Sequence, residues 1–516
     1  MVNILSKSKY IAGIQCLKYL WYLINDPEKI PPFDEATRFR FQQGHDAGNL
    51  AKALFPQGIE VGDGSDVEAE LTRSRELARL TDGPDSDSDD SRRPLFEASF
   101  TYKNTFARAD ILQPSGIDAW NIIEVKSASS VKDINKHDIA FQKYCYQGAG
   151  LKIDKCYLMH LNRDFVKDGP IDPKKFFLLE DVTEEAEALA QDVETNVNLM
   201  LKTVNDSTCP HLPLSKDCYN PYECPLKDLC WNNLPEFNVF ELYRGKNLAF
   251  DLYQNGITRI LDIEDTSVFN PIQQIQIKTI KENRIFMDSK ALKLFLDQLE
   301  YPLYFLDFET FSTAIPLFDG TGPYQNVPFQ FSCHILKHLK GLPENLYFLA
   351  EDDQNDPRPE LLDNLKKALG YGHDGIPVAG SILVYYKSFE IGILNALAEA
   401  FPQHAWWIED AIGRITDLYE PFGKFYYYNC KQKGSASLKR VLPALTGISY
   451  GDMEIKNGEE ASLKFLNTSF FKDGKEVNKI QLEKIRKDLI DYCGLDTEGM
   501  IFILRKLYKL AEDSCH

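Results

Sequence analysis

Three groups of side chains in this chain have the types and spacing for chemistry. In Trp120-Asn-Ile-Ile-Glu-Val-Lys126, Glu124 and Lys126 stand two apart, and Asp110 lies upstream in Phe106-Ala-Arg-Ala-Asp-Ile-Leu112. Residues two apart on a strand share a face, so a carboxylate and an ammonium would be presented together, and a hairpin between the runs would add Asp110. Carboxylates that hold a divalent cation, beside a lysine that positions water, suit phosphodiester hydrolysis. The second group is Tyr304-Phe-Leu-Asp-Phe-Glu-Thr310, where Asp307 and Glu309 share a strand face, with Tyr492 and Asp496 four apart on a helix near the C-terminus. Two acids on an apolar strand are costly unless a cation neutralises them. Carboxylates converging from separate elements form a two-metal site, with ions about 3.5–4 Å apart. A third carboxylate for this group is offered by Glu390 in Tyr386-Lys-Ser-Phe-Glu390, with Asp417 as its competitor. The third group is Cys218, Cys224 and Cys230, with Cys16 as a remote fourth thiol. Four thiolates hold a [4Fe–4S] cluster or a tetrahedral zinc ion, and Cys209 is a further candidate ligand. Cys145, Cys156, Cys333 and Cys430 read as core residues from their apolar or aromatic surroundings.

The elements that must position these groups follow from periodicity. Residues 106–112 and 120–126 read as strands and residues 138–151 as a helix, which puts Gln142 and Tyr146 on one helical face. His45, in Gln43-Gly-His-Asp46, falls on an upstream helix. Residues 58–94 turn polar and acidic and read as a solvated loop, centred on residues 82–91. Residues 11–24 are the only run resembling a targeting signal; Lys18 interrupts it, so it reads as one structural helix. The expected division is α/β and multidomain: residues 1–231, a helical connector at 232–296, and a second α/β domain at 297–516. The stretch 253–260 faintly resembles a helix–hairpin–helix element.

With 516 residues, 44% of them apolar, the chain can build real cores, and no run is long enough to cross a bilayer. Cysteines scattered through a chain of this size fit a reducing cytoplasm. A net charge of −19 excludes coating of nucleic acid by bulk attraction. It leaves room for a local basic strip, and the best is Gly423 to Gly434 continuing to Arg440, where Lys424, Tyr426, Lys431, Lys433, Lys439 and Arg440 would follow phosphates and stack on bases. An edge strand protected by lysines would look the same.

The ordered set of His45, Asp110, Glu124-x-Lys126 and Gln142-x-x-x-Tyr146 resembles the RecB-type branch of the PD-(D/E)xK nucleases, a restriction-endonuclease-like fold. The resemblance implies a metal held by His45, Asp110 and Glu124, a catalytic Lys126, and Gln142 and Tyr146 lining the DNA side. Three clustered cysteines with a remote one resemble the iron–sulfur subset of those nucleases, in which a structural cluster pins the N-terminal helix, although the first gap is wider here. Asp307, Glu309, Tyr492 and Asp496 resemble the first and third motifs of DnaQ-type (DEDD) 3′→5′ exonucleases on a ribonuclease H-like fold, in the variant whose tyrosine orients the attacking water. Glu390 then departs from the usual aspartate of the middle motif. Taken whole, the chain resembles uncharacterised bacterial fusions of these two nucleases. That implies a Mg²⁺- or Mn²⁺-dependent nuclease with two sites acting on nucleic acid, DNA first, in repair, recombination or defence. The competing expectations are a non-catalytic nucleic-acid-binding protein and an RNA-processing exonuclease using only its C-terminal site.

Overall fold

A computed structural model describes residues 3–78, 92–372, 379–451, 453–471 and 478–513. They form a mixed α/β structure of two compact units, Met1–Asn233 with Thr313–Gln325, and Leu234–Ser312 with Asn326–His516. Residues 234–296, expected as a connector, thus lie within the second unit. No helix among the described residues is long and apolar enough to cross a membrane.

The first unit is built on a seven-stranded mixed sheet in the order β2-β3-β4-β5-β6-β7, with β1 beside β4. The strands are β1 (Leu5–Ser6), β2 (Ile59–Glu60), β3 (Leu95–Tyr102), β4 (Thr105–Ser115), β5 (Ala119–Lys126), β6 (Lys152–Leu161) and β7 (Phe177–Asp181). The expected hairpin is β4–β5, antiparallel with Ile111 opposite Ile123. Its helices include α1 (Lys7–Gln15), α2 (Leu17–Asn25), α3 (Glu35–Lys52), α4 (Val67–Leu77) and α5 (Asp133–Gly148). The single helix expected at residues 11–24 is two helices, because Cys16 between them is extended, with φ −162° and ψ 120°.

The polar stretch 58–94 also departs from expectation. Its centre at residues 82–91 lies outside the described residues, but β2 pairs with β3 and α4 is a capped helix, Asp66 accepting from the Ala69 amide. Glu70 on α4 is 4% exposed and meets Arg108 of β4 at 2.6 Å. A paired carboxylate can be buried where an unpaired one cannot, so polar composition alone hid a helix whose Glu70 and Ser74 face inward while most of its other residues stay exposed.

In the second unit the main sheet runs β11-β10-β9-β12-β13, formed by β9 (Leu303–Phe311), β10 (Val327–Leu336), β11 (Glu344–Leu349), β12 (Ile382–Val384) and β13 (Ile415–Asp417). A two-stranded sheet pairs β8 (Phe286–Met287) with β14 (Tyr427–Tyr428). β9 is central, antiparallel to β10 and parallel to β12. On β10, Ser332 stands opposite Asp307 and Gln330 opposite Glu309, so the acid-bearing face stays polar across the strand pair. The long helix Lys479–Asp513 docks there by hydrogen bonds: Thr497 meets Ser332 at 2.8 Å and His334 at 2.7 Å, and Gln330 donates to the Leu489 carbonyl at 2.8 Å. Burial pushes His334 down to about 4, which keeps its imidazole neutral in this contact. These directional bonds fix the rotation of the helix and therefore where Tyr492 and Asp496 point.

Candidate active sites

In the first unit, Asp110 stands one residue before Ile111, whose pairing with Ile123 is the last step of the β4–β5 ladder, and its Oδ2 accepts the Val125 amide at 2.7 Å. Glu124 is 2% exposed. Its Oε1 accepts from Lys126 at 2.8 Å and from Lys7 at 2.6 Å, while Oε2 accepts from Gln142 at 2.8 Å. Lys126 also meets Asp138 Oδ2 at 2.5 Å, so it is held between two carboxylates. Burial alone would raise Glu124, but the two ammonium groups outweigh it and hold the carboxyl down to about 2. Asp110 goes the other way: burial and the neighbouring charge of Glu124 push it up to about 7. One ionised acid beside one poised to titrate is a division of labour that burial and charge can set within a single site.

Two expectations for this site need correction, those for Tyr146 and Gln142. Tyr146 is fully buried; its hydroxyl donates to the Ala98 carbonyl at 2.5 Å and accepts from the Ala109 amide at 2.7 Å. It ties β3 to β4 beside Asp110 and has no surface to offer a nucleic acid. Gln142, equally buried, holds Glu124 and reaches Asp138 at 3.3 Å, so it too acts on the acids and not on a strand lying outside. His45 is exposed on α3, and its ring does not join Asp110 and Glu124 in a set of ligand atoms within 4.8 Å of one another. Glu97 is half-buried on β3 with φ 56° and pairs with Lys52 at 3.3 Å. The flanking pairs Phe96 with Ile111 and Ala98 with Ala109 set it across from Asp110, to whose upward shift its charge adds. A left-handed glutamate within a strand is a strained conformation of the kind concentrated at functional sites.

In the second unit, Asp307 and Glu309 of β9, Glu390 and Asp496 come together. A cavity of about 400 Å³ is lined by Asp307, Glu309, Tyr492 and Asp496. Glu390 is in the first turn of the helix Lys387–Ala400, 2% exposed, and its Oε2 has no hydrogen-bond partner. Burial, reinforced by the surrounding acids, raises Asp307, Glu309 and Glu390 well above the usual carboxylate range. Asp496 rises less, to about 6, because burial is opposed by a hydrogen bond from Tyr450 and by the charge of Lys439. Asp307, Glu309 and Cys493 form the one set of three ligand atoms within 4.8 Å of one another among the described residues. Asp417 is excluded as the middle acid: it accepts the amides of Tyr386, Lys387 and Tyr419 at 2.8, 3.1 and 3.0 Å. It caps the helix that carries Glu390, whose own N-cap, Tyr386, makes no side-chain bond.

The basic strip divides. Phe425, Tyr427 and Tyr428 are buried, and Phe425 stacks on Tyr428 at 4.5 Å, so these rings are core and not platforms for bases. Lys424 and Tyr426 are both engaged by Glu420, at 2.8 and 2.9 Å. Lys431, Lys433 and Arg440 are exposed. Lys439 turns into the acid site, donating to the Tyr492 hydroxyl at 2.9 Å. Sequence reading missed Lys7, Asp138, Tyr450 and this role of Lys439. Asp138 carried a signal, since it precedes Gln142 by four; Lys7 and Tyr450 carried none.

Cys16, Cys218, Cys224 and Cys230 line one cavity of about 320 Å³ in the first unit, although Cys16 is some two hundred residues from the others in sequence. Burial raises the Cys16 thiol and pushes Cys224 up to about 11, so these thiols stay protonated unless a metal takes the proton's place. Cys209 is not among the lining residues and interacts with the Tyr22 hydroxyl. Zinc bonds of about 2.3 Å would draw four sulfurs to about 3.8 Å from one another. Among the described residues no three of the four sulfurs lie within 4.8 Å of one another.

A family model described as a domain of unknown function (DUF2779) matches residues 304–437. It takes in Asp307, Glu309 and Glu390 and stops before Tyr492 and Asp496. No curated protein matches the chain.

Two outcomes follow. A carboxyl raised in the folded state stabilises the fold at low pH, and that contribution is lost as pH rises from its ordinary value of 3.8 through about 6 for Asp496. The metal-free second unit should therefore lose stability across that window. Saturating Mn²⁺ should raise its melting temperature by about 5 °C or more at pH 8 and barely at pH 5, a difference that differential scanning fluorimetry reads directly. If the four thiols hold the cluster expected from the resemblance, anaerobically purified protein should contain about four irons per chain with absorption characteristic of an iron–sulfur centre; elemental analysis giving one zinc and no iron would overturn that expectation.

Proposed function

We propose that this protein is a divalent-metal-dependent nuclease with two phosphodiester-hydrolysing sites, one in each compact unit, and that the four-thiol cavity holds a structural [4Fe–4S] cluster. The observation that carries the reading is the convergence of Asp307, Glu309, Glu390 and Asp496 from one strand and two helices, buried, mutually repelling and with a carboxylate oxygen unpartnered. Such a cluster is unfavourable without a cation, and its donors are the hard oxygens that Mg²⁺ and Mn²⁺ prefer. When bound, such ions polarise the phosphate and lower the pKa of coordinated water.

The residues around the acids then have distinct tasks. Tyr492, raised by burial and by Asp496, stays a neutral phenol able to orient the attacking water. Lys439, bonded to that phenol, places positive charge beside the scissile phosphate. Tyr450 fixes Asp496 through its hydrogen bond. In the first unit Glu124 and Asp110 would hold the cation, Lys126 would position water and steady the pentavalent phosphate, and Gln142 and Tyr146 would keep the acids in place. The finer assignments, a PD-(D/E)xK-like first unit and a ribonuclease H-like second unit, draw support from the acid–lysine hairpin in one and from the central acid-bearing strand in the other. DNA is the first substrate to test, and cytoplasmic residence accords with reduced thiols.

Degradation of matched single-stranded DNA and RNA with Mg²⁺ or Mn²⁺ tests the proposal. Lys126→Ala should remove the first activity and Asp307→Asn/Glu309→Gln the second, each leaving the other's products. The triple variant should cleave nothing, with kcat falling by about a thousandfold or more. Cleavage by the triple variant at the parental rate, with the fold intact by circular dichroism, would refute both site assignments.

A further inference from the structure

Beside the acid cluster, at the carboxyl ends of β12 and β13, lies a cavity of about 380 Å³ that the cleavage chemistry does not use. Four tyrosines line it, Tyr243, Tyr385, Tyr386 and Tyr419, together with Arg244 and the turn from Gly434 to Leu438. No carboxylate is among its lining residues, in a chain of net charge −19. Of the acids close by in sequence, Glu420 is engaged by Lys424 and Tyr426, and Asp417 is spent on backbone amides. Tyr386 is 54% exposed, and its ring meets that of Tyr419 in a T-shaped contact at 5.5 Å. Its backbone is left-handed, with φ 80°, as is that of Arg244, with φ 50°. Arg244 donates to the Tyr419 hydroxyl at 3.2 Å through one nitrogen, and a guanidinium has further N–H groups to offer an anion. Ser435 and Ser437 add hydroxyls, Ser435 donating to Ser437 at 3.1 Å, and Ser437 is the N-cap of the helix Leu438–Thr446 without a side-chain bond to the helix amides.

Position relates this cavity to the acids. β12 runs parallel to β9 with Leu383 beside Phe305, and Tyr385 and Asp307 each follow two residues after that pair. The turn through Tyr386 leads directly into the helix bearing Glu390. An exposed tyrosine ring, an arginine and hydroxyls with no carboxylate in the lining recognise a flat ring joined to a phosphate, and the volume falls in the range of small-ligand pockets.

We propose that this cavity binds one nucleotide unit of a single strand, the base against Tyr386 and the phosphate at Arg244, and so presents a neighbouring phosphodiester to the acids. The assignment rests on reading the acid cluster as a nuclease site, but it is tested without cleavage. Full-length protein in EDTA is titrated with dAMP, with deoxyribose 5-phosphate and with a five-residue oligodeoxyadenylate, followed by calorimetry. dAMP and the oligonucleotide should bind saturably and compete, and the base-free sugar phosphate should bind far more weakly. Tyr386→Ala and Arg244→Ala should each weaken dAMP by about tenfold, the scale of one lost stacking face, while Tyr386→Phe restores binding and so separates ring loss from misfolding. Equal binding by parent and variants, or no binding by the parent, overturns the proposal; dAMP binding without competition by the oligonucleotide overturns the strand assignment. Specific dAMP binding in a protein that cleaves nothing would sustain the pocket and defeat the nuclease reading.

Discussion

The constraint on which both candidate sites depend is the cost of holding carboxylates close together away from water. Two acids brought together in a buried place cannot both stay ionised unless positive charge stands between them. The two units meet this differently. In the first, Lys7 and Lys126 both bond Glu124, which stays ionised, and Asp110 takes the upward shift. In the second, four acids share one centre with Lys439 as the ammonium that opposes them, and all four are shifted upward. A site already supplied with ammonium groups and a site that calls for further cations can coexist in one chain because each has its own sheet.

Positioning in each unit relies on bonds made at a distance from the chemistry. The extended Cys16 breaks what would be one helix, and the two ends of α1 then serve two places: Lys7 reaches Glu124, and Cys16 reaches the thiol cavity. In the second unit, Thr497, the residue after Asp496, docks the long helix on Ser332 and His334, and Asp417 caps the helix that delivers Glu390. Replacing such residues would move the acids without touching them.

What was legible in the sequence was whatever period and local spacing encode. Asp307 with Glu309 and Glu124 with Lys126 share strand faces because side chains alternate, and Tyr492 with Asp496 share a helix face because helical residues four apart do. The four cysteines of one cavity were legible as a set, because three of them are regularly spaced. What was hidden depends on long-range packing. Lys7 is 117 residues from Glu124, and no local pattern announces that meeting. The aromatic strip misled because the alternation of tyrosine and lysine does not say which side faces the core; Phe425 and Tyr428 stack inside. Tyr146 was placed on the correct helical face, yet that face turns to the strands and not to solvent. The polar stretch ahead of β3 hid a helix because Glu70 finds Arg108 from another element.

The central claim is that the buried acids of the second unit exist to hold divalent cations at a hydrolytic centre. Crystals of the protein soaked in Mn²⁺ and measured at the manganese edge test it most directly. The account predicts anomalous density within coordination distance, about 2.2 Å, of carboxylate oxygens from Asp307, Glu309 or Glu390 and Asp496, with the peak lost in Asp307→Asn/Glu309→Gln. Full occupancy elsewhere with no density among these four acids would contradict it.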